Sequence, residues 1–154
     1  MVALNELTQM GWSLTAEGFD YLLSEAEEGA KARDLADIAL DTDLKLIGEG
    51  TLPENLHQAG KISGPIVLQV NKVKNISAPM INQYSQTASR MLLASLTDGK
   101  KTVQMLEFSR ANSLSVDTMP GTKILIKNSI KITDGFVELE DKAIKVWVQH
   151  FSKN

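Results

Sequence analysis

Two carboxylate clusters and two histidines are the residues that could take part in catalysis or metal binding. The carboxylates lie at Glu25-Ala26-Glu27-Glu28 and Asp41-Thr42-Asp43, and the histidines are His57 and His150. General acid–base catalysis needs a carboxyl group whose pKa is raised by apolar surroundings, whereas both clusters lie in a polar, acidic segment. The histidines do not have metal-site spacing, and there is no cysteine to complete a site. We therefore expect no enzyme activity and ordinary surface positions for the histidines.

Nucleotide-binding and nucleophile motifs are also missing from the sequence. It contains no Gly-x-Gly-x-x-Gly, Walker A or Gly-x-Ser-x-Gly pattern. No cofactor and no small-molecule substrate are therefore expected. The sequence has no apolar run of about 18 residues and no signal-peptide pattern at its start, so we expect an intracellular protein that does not contact a membrane.

Charge is divided unevenly along the 154 residues, whose net charge is −3. Residues 1–58 carry a net charge of −9 and residues 59–154 a net charge of +6. A basic second half could suit nucleic acid, but its aromatic side chains are few and stacking platforms need them. We expect at most weak, salt-sensitive direct binding, or simply a solvated surface. The lysines that could follow a phosphate backbone are Lys72, Lys74, Lys100, Lys101, Lys123, Lys127 and Lys131.

The apolar spacing before about residue 58 is helical. Thr15 is placed to cap one helix, and Asp41-Thr42-Asp43 offers capping oxygens to another. Short helices are marginal alone in water, so they should pack together as a small bundle over residues 1–60. The two predicted apolar helix faces consist of Phe19, Leu22 and Leu23, and of Leu35, Ile38 and Ala39.

The period of apolar residues changes to two after Gly64-Pro65. Ile66, Leu68 and Val70 alternate with their neighbours as in a strand with one buried face. Asp98-Gly99 and Asp134-Gly135 are typical of hairpin turns. Short strands at this spacing favour a five-stranded oligonucleotide/oligosaccharide-binding (OB) barrel over residues 61–150. The predicted fold class is α+β, a helical bundle followed by an OB-fold barrel.

One segment, residues 75–89, is too long for the tight connection expected between the first two strands. Loops of this length are usually functional or disordered. The segment carries apolar side chains with little charge, which favours a loop that docks on a partner; an apolar lid folded on the barrel is the alternative. Phe108, at the end of the third strand, is a barrel-side anchor if it faces outward and a core residue otherwise. The candidate anchors in the loop are Ile76, Pro79, Met80, Ile81 and Tyr84.

Several segments, in collinear order over most of the chain, resemble the tudor-domain-containing protein 3 family. RecQ-mediated genome instability protein 1 is a more distant resemblance, with the same Pro-Gly-Thr-Lys turn. The family's Gly-Gly after the last strand is Val146-Trp147-Val148 here, so this edge is expected to differ. The matching segments include Ile38 to Leu44, Gly64 to Val70, Leu96-Thr97-Asp98-Gly99, Glu107-Phe108-Ser109, Pro120-Gly121-Thr122-Lys123 and Gly135 to Leu139.

The resemblance implies a non-catalytic accessory subunit that binds a type IA topoisomerase of the topoisomerase III class. Binding would use the loop inserted between the first two barrel strands, here 75–89. Its short, proline-containing form is more similar to the tudor family, whose partner is topoisomerase III beta. The chain would then reach nucleic acid indirectly, through that enzyme. The expected location is the nucleus and cytoplasm. The alternatives are an accessory role with topoisomerase III alpha and a RecQ helicase, or an autonomous single-strand-binding module.

Overall fold

The computed structural model describes residues 2–76 and 91–147. Up to residue 59, its regular elements are five helices joined by short connections. Thr15 caps the second helix, since its Oγ1 accepts the Gly18 N–H at 2.8 Å. Asp43 caps the fourth in the same way, accepting the Lys45 N–H at 3.0 Å. Both predicted caps are confirmed. The helices are α1 (Val2–Gln9), α2 (Ala16–Glu25), α3 (Ala32–Leu40), α4 (Leu44–Ile47) and α5 (Leu56–Ala59).

The helices bury a face that is narrower than predicted on α2. Phe19 and Leu22 are buried, whereas Leu23 is 45% exposed, so its assignment to the apolar face was wrong. On α3, Leu35 and Ala39 are buried and Ile38 is half-buried. The buried residues Gly18, Phe19 and Leu22 occupy an arc of the helix centred near Leu22, and Leu23 lies about 100° from Leu22, outside this arc.

The strands form one curled sheet with the order β1-β6-β7-β4-β3-β2-β5-β8. β5 and β6 lie near opposite ends of this order, yet only Lys127 and Asn128 separate them in the chain. The sheet must therefore curl until its two ends approach each other, as in a barrel. The strands are β1 (Lys61–Ser63), β2 (Ile66–Asn75), β3 (Leu92–Thr97), β4 (Thr102–Leu106), β5 (Lys123–Ile126), β6 (Ser129–Thr133), β7 (Phe136–Glu138) and β8 (Ile144–Val146).

The described residues thus contain eight strands where five were predicted. One predicted run, Lys123 to Ile132, is two strands in the structure: β5 pairs with β2 and β8, whereas β6 pairs with β1 and β7. β1 and β8 add short pieces that pair with β6 and β5. Both Asp-Gly turns are confirmed: one joins β3 to β4, and the other joins β6 to β7 with positive φ at Asp134 and Gly135.

β2 is buried on both of its faces over its first five residues. Ile66, Leu68 and Val70 lie in the barrel core, whereas Val67 lies in the core of the helical bundle. The prediction of a single buried face was wrong for this part of β2, because the bundle covers the outside of the barrel here. Polar contacts accompany the packing: the Gln69 Oε1 accepts the Leu44 N–H at 2.7 Å.

Two tryptophans join the bundle to the far end of the chain. Trp12, which is buried, stacks on Trp147 with ring centroids 6.1 Å apart and planes inclined by 20°. The Lys145 ammonium lies 5.7 Å from the Trp147 ring centroid. The stack therefore fixes β8 and the end of α1 to each other. The predicted boundary between domains at residue 60 stays a prediction, because packing contacts do not measure whether either part folds alone.

Among the described residues, no helix has the length and apolar character needed to cross a membrane.

Candidate partner-binding surface

Three apolar residues lie at the same end of adjacent strands β2, β3 and β4. The pairing of Asn75 with Leu92 continues into a bond from the Ile76 N–H to the Met91 carbonyl at 2.8 Å. On the other side of β3, the Glu107 N–H donates to the Leu92 carbonyl at 2.9 Å. Ile76 thus belongs to the start of the predicted docking loop 75–89, and Met91 follows that loop by two residues. The three apolar residues at this end are Ile76, Met91 and Phe108.

The side chains of this row point away from the barrel core. Strand neighbours alternate between faces, and Val73, Ala94 and Met105 form a register row that is buried in the core. Positions one and three residues away from that row therefore lie on the other face of the sheet, which is the outer face of the barrel. Ile76 is 46% exposed and Phe108 is 47% exposed, which agrees with this alternation. The alternative of Phe108 as a core residue was wrong.

Side chains beneath the row hold the ends of the loop in place. The Glu107 carboxylate is buried and accepts the Leu92 N–H at 3.0 Å and the Ala111 N–H at 2.9 Å. The Asn75 Oδ1 accepts the Met91 N–H at 3.2 Å. Sequence reasoning missed Met91, Asn75 and Glu107. A glutamate that directly follows an apolar strand was the one available sign of a buried carboxylate with backbone partners.

The structure describes only part of the predicted site. It brings together Ile76 and Phe108, at the ends of β2 and β4. The other predicted anchors, Pro79, Met80, Ile81 and Tyr84, lie outside the described residues, as does the predicted loop from residue 77 onward. His150 and the side chain of His57 are outside them too. The docking role of these residues therefore stays a prediction.

Lys123 does not belong to any surface that could follow a phosphate backbone. Its side chain is 2% exposed, and its Nζ donates to the carbonyls of Leu40 and Gly121, each at 3.2 Å. Burial lowers its pKa to about 8, against the opposing charges of Asp43 and Asp41, which raise it. The prediction for Lys123 was wrong. Of the other predicted lysines, Lys101 is half-buried and pairs with Glu54 at 3.0 Å, and the rest are exposed.

Asp43, in the second carboxylate cluster, is held in its charged form. Hydrogen bonds from the Gln69 side chain and the Lys45 backbone N–H lower the pKa of Asp43, the opposite of what a general acid needs. Within residues 2–76 and 91–147, no cluster of three or more acidic or histidine side chains could hold a metal ion. The arrangement that stands out is instead an exposed apolar row beside a loop.

Comparison with known proteins assigns the family. The family model described as the RMI1 N-terminal OB-fold domain matches residues 52–150. The chain belongs to this family. Its barrel is accordingly an OB-fold domain, which agrees with the curled sheet.

Full-length relatives agree with this family and with the predicted resemblance, which is confirmed. Tudor domain-containing protein 3 of Danio rerio is 36% identical over 143 residues, covering 91% of this chain and 20% of the relative. The Xenopus tropicalis protein of the same name is 42% identical over 106 residues, covering 68% and 15%. RecQ-mediated genome instability protein 1 of Arabidopsis thaliana is 30% identical over 155 residues, covering 91% and 24%. The chain thus spans a quarter or less of these relatives.

Proposed function

We propose that this chain is a non-catalytic accessory subunit of a type IA topoisomerase, which it binds through the loop 75–89 and the apolar row beside that loop. The expected enzyme is topoisomerase III beta. The observation that carries the proposal is the position of Ile76, Met91 and Phe108 at the same end of β2, β3 and β4, with Ile76 and Phe108 exposed. In protein interfaces, a few large side chains supply most of the binding energy. An exposed apolar row of this kind marks an interaction site more readily than a strand end that only contacts water.

The buried contacts beneath the loop support a docking role. Because Asn75 and Glu107 fix the backbone at residues 91–92, the described residues on either side of 77–90 are held before any partner binds. A loop with fixed ends loses less conformational entropy when it orders on a partner than a free segment would. Pro79 restricts the backbone further.

The consequence for the enzyme follows from unequal binding. A subunit can shift the opening and closing of the strand-passage gate only by binding one gate conformation more tightly than the other. The expected result is a changed rate of relaxation or decatenation, without a new reaction. We place this activity where the topoisomerase works, in the nucleus and cytoplasm.

Alanine substitutions in the loop and in the row test the proposal. Ile81→Ala, Tyr84→Ala and Phe108→Ala are each expected to weaken topoisomerase III beta binding by about 1–3 kcal/mol, roughly five- to 150-fold. Calorimetric titration measures the affinity, and thermal melting should be nearly unchanged because these changes remove no described core contact. The matched control is Leu46→Ala, which removes a 69% exposed apolar side chain on the bundle.

Three results would contradict the proposal in different ways. If the loop variants bind normally, docking does not use this loop; if they lose several degrees of melting temperature, the loop is a lid on the core. Tighter binding to topoisomerase III alpha than to the beta enzyme would favour the RecQ-associated role. Submicromolar binding to single-stranded DNA or RNA at physiological salt, measured by fluorescence anisotropy, would favour an autonomous nucleic-acid module.

A further inference from the structure

Two lysines stand directly opposite each other on the outer side of β1 and β6. These strands pair antiparallel, with Lys61 opposite Lys131 and Ser63 opposite Ser129. The isoleucines between them are buried in the barrel core, so the lysines and serines share the outer face, where all four are exposed. Residues directly opposite in such a pair have Cβ atoms about 5 Å apart.

The corner between β5 and β6 adds a third lysine beside this pair. Lys127 and Asn128 form the corner, and both are exposed. The Gly64 N–H, directly after β1, donates to the Asn128 carbonyl, which holds the end of β1 against the corner. We call the resulting area the paired-lysine surface: Lys61, Ser63, Lys127, Asn128, Ser129 and Lys131.

The acidic residues that lie close to this surface in the chain do not neutralise it. Among the described residues, none of its three lysines forms an ion pair. Glu138 on the neighbouring strand β7 uses its Oε2 to accept the Thr133 hydroxyl at 2.6 Å. The Asp141 carboxylate accepts backbone N–H groups of the loop after β4, and the exposed charges of Glu140 and Lys142 offset each other. The paired-lysine surface is therefore cationic.

The opposed lysines are not explained by the stability of the sheet. Like charges directly opposite on neighbouring strands destabilise a sheet. Lysines on an edge strand prevent association with another sheet edge, which accounts for Lys61 because β1 is the first strand in the sheet order. It does not account for Lys131, because β6 has pairing partners on both sides. A ligand with negative charge would remove the repulsion by contacting both ammonium groups.

The acidic helical bundle leaves the surface open. The bundle packs on the barrel at Val67, Leu125 and Trp147, and its core includes no residue of β1 or β6. Residues 1–58 carry a net charge of −9, whereas residues 59–154 carry +6. A polyanion is therefore repelled by the bundle and attracted to the barrel.

We propose that the paired-lysine surface binds the phosphate backbone of nucleic acid without reading its sequence. Lys61 and Lys131 hold one phosphate between them, and Lys127 contacts a neighbouring phosphate. The two serine hydroxyls and the Asn128 amide donate to phosphate oxygens. This contact goes beyond the proposed function and does not depend on it.

The composition of the surface favours nucleic acid over protein as its ligand. All six side chains end in N–H or O–H donors, and none is aromatic or aliphatic. Lysine, serine and asparagine side chains are typical phosphate contacts, whereas the centres of protein interfaces are apolar and rich in aromatic residues. Because the surface has no aromatic side chain on which bases could stack, single strands and duplexes should both bind.

Fluorescence anisotropy with the full 154-residue chain tests the inference. A labelled duplex and a labelled single strand are titrated at about 50 to 200 mM salt without any topoisomerase. On duplex DNA each phosphate contact contributes about −0.9 to the slope of log affinity against log salt, so three contacts give about −2.7. K61Q/K131Q should reduce the size of this slope by about 2 and weaken binding about tenfold or more at the lowest salt.

The matched control is K72Q/K74Q, which removes the same charge from two exposed lysines of a single strand, β2. It should leave the salt slope unchanged and alter the affinity less than about twofold. The melting temperature of K61Q/K131Q should equal or exceed that of the original chain, because the variant removes the repulsion between the opposed lysines.

Each other outcome overturns the inference. Equal effects of both double variants would mean that only net charge matters, and unchanged binding by K61Q/K131Q would leave Lys61 as protection of a sheet edge. Binding of the single strand alone would show that bases are recognised instead of the backbone. A lower melting temperature of K61Q/K131Q would show that the opposed lysines stabilise the sheet.

A separate titration of K61Q/K131Q with topoisomerase III beta distinguishes the two classes of macromolecule. Weaker binding to the enzyme, with unchanged binding to nucleic acid, would make the surface a protein interface and overturn the inference. The nucleic-acid titrations contain no topoisomerase, so a negative result in them leaves the proposed function standing.

Discussion

Replacing Lys123 by methionine removes a buried ammonium group from the contact between bundle and barrel. The group donates to the Leu40 carbonyl at the end of α3, where the negative end of the helix dipole favours a cation. Burial nevertheless lowers the pKa of Lys123 from 10.5 to about 8. The charged form is therefore less favourable in the folded protein than in the unfolded chain.

The sign and size of the effect follow from this pKa. Between pH 8 and pH 10.5 the unfolded chain holds the Lys123 proton more tightly than the folded protein does. The free energy of unfolding therefore rises with pH across this window. One pKa unit corresponds to about 1.4 kcal/mol, so the full rise attributable to Lys123 is about 3 kcal/mol.

Urea denaturation at pH 7 to 10.5 checks this prediction. The rise is taken as the difference between the original chain and Lys123→Met, because the remaining titrating groups are common to both. Lys127→Met is the control, because it makes the same change of residue type and charge at an exposed position and keeps the buried amine. An equal pH dependence in the original chain and in Lys123→Met would refute the claim that burial lowers the pKa of Lys123.

Two further substitutions probe the close contacts of the fold. Gly18→Ala should lower the free energy of unfolding by about 1–3 kcal/mol in urea titrations, because a Cβ at this position would lie 2.5 Å from the Ile47 carbonyl oxygen. Asp98→Asn should destabilise the protein at pH 7 and make its stability less sensitive to acid. Burial alone would raise the pKa of Asp98. The backbone N–H groups of residues 51–52 and 100–101 donate to its carboxylate, and together they lower the pKa. Its stabilisation is present above the unfolded pKa and lost as pH falls through the folded one, which thermal melts from pH 6 to pH 2.5 would record.

Features that depend on local chemistry were predictable from the sequence. A threonine or aspartate before an apolar helical pattern caps its helix because the side chain reaches N–H groups two or three residues away, as at Thr15 and Asp43. The Asp-Gly turns were predictable for the same reason. The OB-type barrel followed from the spacing of strands between such turns.

Features that depend on distant packing were not predictable in this way. Lys123 lies on a strand where a lysine is normally solvent-exposed, and the carbonyl that accepts its bond belongs to Leu40, 83 residues earlier. The second buried face of β2 likewise exists only because the bundle folds back on Val67. In the candidate surface, the sequence pointed to Ile76 and Phe108 as separate anchors. It did not point to Met91, which lies beside them only because of the register between the strands. Register depends on pairing across the sheet, which residue types alone do not specify.

The Trp12–Trp147 stack gives the protein an optical label of its own. The sequence contains two tryptophans, and both are in this stack. The intrinsic fluorescence emission therefore comes from the place where the bundle meets the end of the barrel. Tryptophan fluorescence recorded during a titration with the partner protein would report whether the bundle stays packed on the barrel when the partner binds the loop. Far-ultraviolet circular dichroism would follow the whole backbone in the same sample, so separate transitions in the two signals would reveal the bundle leaving the barrel before the barrel unfolds.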